Sequence, residues 1–234
     1  MSKTAWIIFS VFTVGILAIL VIFSTNSKID ISKVDINKVQ TASGQNGNIA
    51  DNVTGKKDSK VILIEYGDYQ CGGCAAASPV AKEVASKYSN EIAFVFRNYL
   101  IPGHTNARAA AAAAESAGLQ GKYWEMHDRL YSEQLSWSGL NETDRQKYFD
   151  DLARQLKLNQ SKFDQDMMST SVEDKINFDI AMARKAGLNS TPTFYLNGSG
   201  FDEKSTNQII NGEKSILTDR IDSELKKYNI ALPK

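Results

Sequence analysis

The chain has 234 residues, 42% of them hydrophobic, and its 27 basic and 27 acidic side chains cancel to a formal net charge of zero. That length holds one sizeable domain with some chain to spare. Neutrality without a basic cluster argues against nucleic acid as the main partner. The only two cysteines are Cys71 and Cys74. There is therefore no disulfide framework holding the fold and no spare thiol to mispair.

The first element is Ala5 to Phe23, about nineteen residues without a charge. At ~1.5 Å per residue such a helix nearly spans a ~30 Å hydrocarbon core. A cleaved signal peptide has a shorter apolar core and ends at an A-x-A-like site. Here the flank is Ser24-Thr25-Asn26-Ser27, with no such site and no lipobox cysteine. Residues 1–25 are expected to be an uncleaved transmembrane anchor, with the short tail bearing Lys3 in the cytoplasm and the rest outside the cell membrane. Residues 26–59 are polar and rich in Ser, Asn, Gly, Asp and Lys. They read as an extracytoplasmic tether.

Residues 60–230 read as the folded domain. Val61-Ile62-Leu63-Ile64 is a continuous apolar run, the pattern of a fully buried strand. Glu65 continues it, where a lone carboxylate is costly. Gly67-Asp68 ends the strand, Cys71-Gly72-Gly73-Cys74 follows, and an alanine-rich helix pattern runs to Tyr88 with Pro79 inside it. Cys71 thus sits at a helix N-terminus. Free N–H groups and the helix dipole stabilise an anion there, which lowers a thiol pKa. Cys74, one turn on and on the inner side, is placed to resolve a mixed disulfide. The pair reads as a dithiol/disulfide exchange site. Half a zinc site and two inert core cysteines are the alternatives, but zinc usually takes four ligands and neither histidine forms a second ligand pair. No metal or cofactor is expected. Glu65, pointing inward from a buried strand beside the sulfurs, reads as a proton acceptor for Cys74, with a pKa raised by burial.

Ile92 to Phe96 is the next buried strand, and strand, helix and strand make a right-handed βαβ unit with a parallel sheet. From about 104 to 188 the pattern is helical without a clear strand, with a helix start at Asn141 and a C-terminal stop at Gly187. His127 and Trp124 read as packed helix residues, and His104 as a loop residue. Thr193 to Leu196 is a strand following Thr191-Pro192. Asn197-Gly198 is a hairpin turn signal, and Gln208 to Gly212 reads as the partner strand. Ile216 to Tyr228 closes the domain as an amphipathic helix.

Taken together, Glu65, Cys71-Gly72-Gly73-Cys74, the helical insertion and Thr191-Pro192, in that order, resemble the DsbA-like thioredoxin-fold disulfide oxidoreductases, in particular a membrane-anchored bacterial branch. The resemblance covers about Val61 to Lys227. It implies an α/β thioredoxin-like fold with an inserted helical subdomain. It also implies a cis Thr191–Pro192 bond, with the Thr191 backbone facing the sulfurs and pairing with an extended substrate. Reduced exported proteins as substrates, and a membrane redox partner that reoxidises the pair, are likewise implied by the resemblance. DsbA itself has a Cys-Pro-His-Cys site; the Gly72-Gly73 dipeptide carries no imidazole to support the thiolate. Dithiol oxidation is therefore the expected activity, with disulfide reduction or isomerisation, and a tethered chaperone or binding module, as rivals.

Overall fold

The computed structural model describes residues 29–233. The expected anchor lies outside them; among the described residues no helix is long and apolar enough to cross a membrane.

A five-stranded mixed sheet forms the centre. Its strands are β1 (Val53–Gly55), β2 (Ile62–Gly67), β3 (Ala93–Asn98), β4 (Thr193–Leu196) and β5 (Ser199–Gly200), in the order β1-β3-β2-β4-β5. β2 and β3 are parallel, with Glu65 opposite Phe96, and are joined by helix α1 (Gly72–Lys87). The other pairings are antiparallel. Every residue of β2 and β3 is buried, because both sheet faces are covered, as parallel sheets require.

Alternation sorts the strand residues between the two faces. Leu63, Phe94, Phe194 and Leu196 pack with Val80, Val84 and Ala85 of α1, with Ile209 of α8 (Glu203–Ile210), and with Leu217, Ile221 and Leu225 of α9 (Ser215–Lys227). Ile62, Ile64, Tyr66 and Val95 face the other way, against Phe178 and Met182 of α7 (Thr170–Lys185). A third cluster fills the helical insertion, made of α2 (Ala107–Gly118), α3 (Tyr123–Ser132), the short α4 (Gln134–Trp137), α5 (Glu142–Gln155), α6 (Gln160–Met167) and α7. Tyr69, Cys74 and Phe96 carry that cluster up to the sheet. Local signals set the helix ends. Asn141, Asn159 and Ser169 each accept an N-terminal amide hydrogen bond on their side chain, and Gly187 takes a φ of 74° just after α7, where glycine carries no steric penalty.

Two expectations are corrected. From Ile29 onward the stretch read as a tether is packed on the domain, and β1 lies within the sheet. The cause is Arg97, a fully buried cation on β3. It donates to the carbonyls of Ile36 (2.5 Å) and Lys38 (2.6 Å) and to Asp51 (2.8 Å). Ile29, Ile31, Val34, Ile36 and Val39 cover the apolar face beside it. Second, Gln208 to Gly212 is not a strand but the end of α8 and the turn after it. Asp202 caps that helix by accepting from Ser205 N (2.8 Å). The partner of β4 is the short β5, reached through Asn197 and Gly198, both at positive φ.

Candidate active site

The site stands where β2 ends and α1 begins. Cys71 is the N-cap of α1, with φ −77° and ψ 122°. The turn before it is tied down by Asp68. This buried carboxylate accepts from Gln70 N (2.7 Å), Ile101 N (2.8 Å) and His104 Nδ1 (2.8 Å), while its carbonyl accepts from Cys71 N (3.0 Å). From the insertion, Gln134 Nε2 donates to the carbonyls of Tyr69 (2.7 Å) and Cys71 (3.0 Å). Gln70 reaches back to the Ser138 carbonyl at 2.9 Å. The two glutamines lock the cysteine loop to the helical subdomain. Asp68 and Gln134 have no assigned role in the sequence, and His104, a loop residue whose alternative reading is to line the site, is brought beside it by Asp68. Only Asp68 left a local trace, as an Asx turn after Gly67.

The structure places Cys71, Cys74, Glu65, Thr191 and Pro192 at this one corner. The Thr191–Pro192 peptide is cis, and the Thr191 carbonyl oxygen lies 3.5 Å from Cys71 Sγ. The Pro192 ring sits on the first turn of α1: a Cβ on Gly73 would meet Pro192 Cδ at 3.4 Å, whereas one on Gly72 would meet nothing within 4 Å. The Gly73 side of the dipeptide is thus filled by the proline loop, and the Gly72 side is open.

The two thiols are free and unlike. Cys71 is half-buried, Cys74 fully buried. The Cys71 thiol is pulled down to about 5, first by a hydrogen bond from Cys74, then by Thr191 and the N–H groups of Cys74 and Gly73. Cys74 goes well above the ordinary thiol range, chiefly through burial and then through the Cys71 sulfur. Glu65 is 1% exposed, and neither carboxyl oxygen has a partner among the described residues. Burial, and then the neighbouring Cys71 charge, raise its pKa to about 8. One sulfur is therefore an anion at neutral pH, the other a thiol, and the acid beside them is protonated. No group of three or more potential ligands that could hold a metal occurs among the described residues.

A strand-to-helix dithiol facing a cis proline, on this sheet order, defines the class: a thioredoxin-fold dithiol protein. The family model described as Thioredoxin matches residues 47–212. The chain belongs to that family. Among solved structures it is similar to a thioredoxin-like oxidoreductase from Silicibacter pomeroyi DSS-3, with 28% identity, a TM-score of 0.54, and coverage of 69% of this chain and 90% of that one. It shares its fold with oxidised BdbD from Bacillus subtilis (21% identity, 81% of this chain and 98% of that one, TM-score 0.61). It does so too with MdbA, a thiol-disulfide oxidoreductase from Corynebacterium diphtheriae (21% identity, 79% and 99%, TM-score 0.57). The thioredoxin-like fold that the resemblance implied is shared with these neighbours. A curated relative is the Na(+)/H(+) antiporter NhaA 1 of Mycolicibacterium vanbaalenii, 35% identical over 153 residues, which are 63% of this chain but 23% of that protein. The chain thus spans about a quarter of the length of that relative, and the likeness is to one segment of it.

Proposed function

We propose that this protein is a thiol–disulfide oxidoreductase that oxidises dithiols of exported proteins to disulfides, held at the outer face of the cell membrane by residues 1–25. One observation carries the reading: a half-exposed sulfur anion at a helix N-terminus, paired with a buried thiol that solvent does not reach. The anion stabilises the reduced pair, and that makes the disulfide a better oxidant.

In the oxidised protein a substrate thiolate attacks Cys71 Sγ. The Cys71–Cys74 bond breaks, and Cys74 leaves as a thiolate that takes the proton of Glu65. The Thr191 carbonyl, 3.5 Å from Cys71 Sγ, offers an extended substrate backbone an acceptor for strand-like pairing. The second substrate thiolate then attacks the substrate sulfur of the mixed disulfide. The substrate leaves oxidised by two electrons, Cys71 leaves as a thiolate, and the pair is reduced. A membrane redox partner bearing a disulfide takes the two electrons back by the reverse exchange.

The test uses a synthetic reduced dithiol peptide. Cys71→Ser is expected to abolish its oxidation; Cys74→Ser, offered oxidised glutathione instead, is expected to accumulate the mixed disulfide, because its Cys71 thiolate opens the glutathione disulfide, one glutathione leaves as a thiolate, and no second thiol resolves the bond. Retained oxidation by Cys71→Ser overturns the nucleophile. A thiol pulled toward 5 shifts the potential by up to roughly 30 mV per pKa unit, less where solvent screens the sulfur. A redox midpoint above about −230 mV is expected, and one near the thioredoxin value of about −270 mV would instead support a reductase.

A further inference from the structure

Resting on that reading, we infer that the Tyr131 hydroxyl is a positioning group for the buried half of the site, donating to the anion that forms whenever a proton moves between Cys74 and Glu65. The argument begins from strand geometry. Glu65 and Gly67 are two apart on β2 and share one face, the face that Leu63 presents to α1. A Cβ on Gly67 would lie 3.0 Å from the Tyr131 hydroxyl and 2.4 Å from the Phe96 ring. The Phe96 ring is what requires glycine there, and the phenol from α3 closes over the same strand end. The hydroxyl stands beside Gly67, two residues from Glu65 on the same strand face. Tyr131 is 5% exposed, and its hydroxyl has no hydrogen-bond partner among the described residues. The same holds for both oxygens of Glu65.

A phenol oxygen and a carboxyl buried together without partners are a costly arrangement for a core that only needs to be stable. It suits a chamber whose charge changes during a cycle. The titratable groups around Tyr131 are Cys74 from α1, Glu65 and Asp68 from β2 and its turn, Tyr69 from the cysteine loop, and His127 from its own helix. Burial first, and then the charges of Cys74 and Glu65, push the Tyr131 pKa well up. The phenol keeps its proton throughout and acts only as a donor. Asp68 is already satisfied by Gln70, Ile101 and His104. The anions left for the phenol are the Cys74 thiolate and the Glu65 carboxylate.

The step it supports is resolution. With Cys71 joined to a partner sulfur, its charge no longer opposes ionisation of Glu65, and in the molecules whose Glu65 has released its proton the Cys74 thiol gives its own to that carboxylate. The Cys74 thiolate attacks Cys71 Sγ, the Cys71–Cys74 bond forms, and the partner leaves as a thiolate. The partner disulfide is the oxidant and takes two electrons.

Oxidised glutathione is the probe. Reduced full-length protein releases one glutathione when Cys71 attacks and a second when Cys74 resolves, and the two releases are timed separately across pH. In Tyr131→Phe the second release is expected to slow about tenfold at pH 7 and its apparent pKa to rise by about one unit, the loss of a hydrogen bond to a charged group. The first release and the Cys71 thiolate titration are expected to stay as in the wild type, which a general loosening of the core would not allow. In Glu65→Gln the added effect of Tyr131→Phe is expected to shrink, since the two act on one proton. Should Tyr131→Phe fail to fold, Tyr131→Leu removes the same hydroxyl. An unchanged second release in a folded variant overturns the inference alone, whereas a wild type that never releases a second glutathione overturns the exchange reading beneath it.

Discussion

The two buried polar regions of this molecule follow opposite rules. On the α7 face of the sheet, Asp51, Arg97, Lys175 and Asp179 are all buried, and every charge has an opposite charge against it, leaving only Arg97 Nε and Asn98 Oδ1 without a partner among the described residues. Asp51 accepts from Arg97 (2.8 Å) and Lys175 (3.0 Å), Asp179 accepts from Lys175 (2.5 Å), and Asn98 donates to Asp179 (3.1 Å) and Glu115 (3.1 Å). At the dithiol corner, both carboxyl oxygens of Glu65 and the Tyr131 hydroxyl are buried without partners among the described residues. The first region turns polar groups into fixed structure. The second keeps its polar groups short of partners, so that a proton or a sulfur bond can move there. Buried charge needs complete pairing to be tolerated, and a catalytic group needs its pKa moved; one fold does both on opposite sides of one sheet.

The widest split between the regions is expected from Asp51→Ala. It leaves the Arg97 and Lys175 cations one carboxylate short inside the protein, which typically costs about 3–5 kcal/mol. For a chain of this size that is a fall in Tm of roughly 10 °C or more, read by calorimetry. The redox midpoint of the cysteine pair is expected to stay at the wild-type value. A shifted midpoint would join the two regions into one network and end the contrast drawn above.

Glu65→Gln tests the other side, and its sign is opposite. The Glu65 carboxyl has its pKa raised from 4.5 to about 8 in the folded protein. Such a group leaves the fold at its full stability only below the unfolded value. As pH rises from there, the folded state loses ground, until pH passes the folded value and the loss levels off. The variant is therefore expected to lose that part of the decline, a gain against wild type on the order of 3 kcal/mol between acid and pH 8. Urea melts at several pH values measure it. At the same time resolution by Cys74 is expected to slow. A site residue whose removal stabilises the protein is the mark of the unsatisfied region; Asp51 shows the reverse.

The contrast also explains what could be read from the residues. The dithiol corner was legible because its signals are local: an apolar run ending in Gly67-Asp68, two thiols one helical turn apart, and a Thr-Pro before a strand. Asn141 and Gly187 marked helix ends for the same reason. The paired region was illegible. Residues 29–52 have no period, and what orders them is a cation more than forty positions along the chain, which takes up the Ile36 and Lys38 carbonyls. Residues 208–210 misled because Ile209 and Ile210 favour strands, while the Asp202 cap and the burial of Ile209 under α1 decide for helix. Tyr131 and Gln134 lie sixty or more residues from the cysteine loop that they serve, and no pattern of spacing connects them.

Within the dithiol corner, Cys74→Ala sharpens the account of the Cys71 anion. The largest lowering influence on Cys71 is the hydrogen bond from the Cys74 thiol. Alanine removes that donor and leaves the helix N-terminus intact. The thiolate absorbance of Cys71 is expected to titrate near 5 in the reduced wild type and about one unit or more higher in the variant. A thiol whose pKa is lowered from 9.0 to about 5 stabilises the folded reduced state in full above the unfolded value and loses the effect progressively as pH falls to the folded one. The reduced wild type should therefore lose its advantage over the variant below about pH 5. An unmoved midpoint would give the lowering to the helix N–H groups and the Thr191 loop instead.

The smallest expected effect belongs to a third kind of polar group, exposed and paired. Asn141 accepts from Asp144 N at 3.0 Å at the start of α5. Asn141→Ala removes this cap and is expected to cost about 1 kcal/mol. Solvent can take over the freed N–H, so no buried donor is stranded, and the cost stays well under that of Asp51→Ala. The α5 helix packs against the insertion core through Phe149 on Trp137, ring centroids 5.5 Å apart, and Trp137 ends the short helix whose first residue, Gln134, holds the Cys71 carbonyl. A route from the cap to the sulfur therefore exists along packed residues. If it carries energy, the Cys71 midpoint will move along with the melting temperature. The expectation is that it does not, because Gln134 is also held by its bond to the Tyr69 carbonyl, so fraying at Asn141 ends before it reaches the loop.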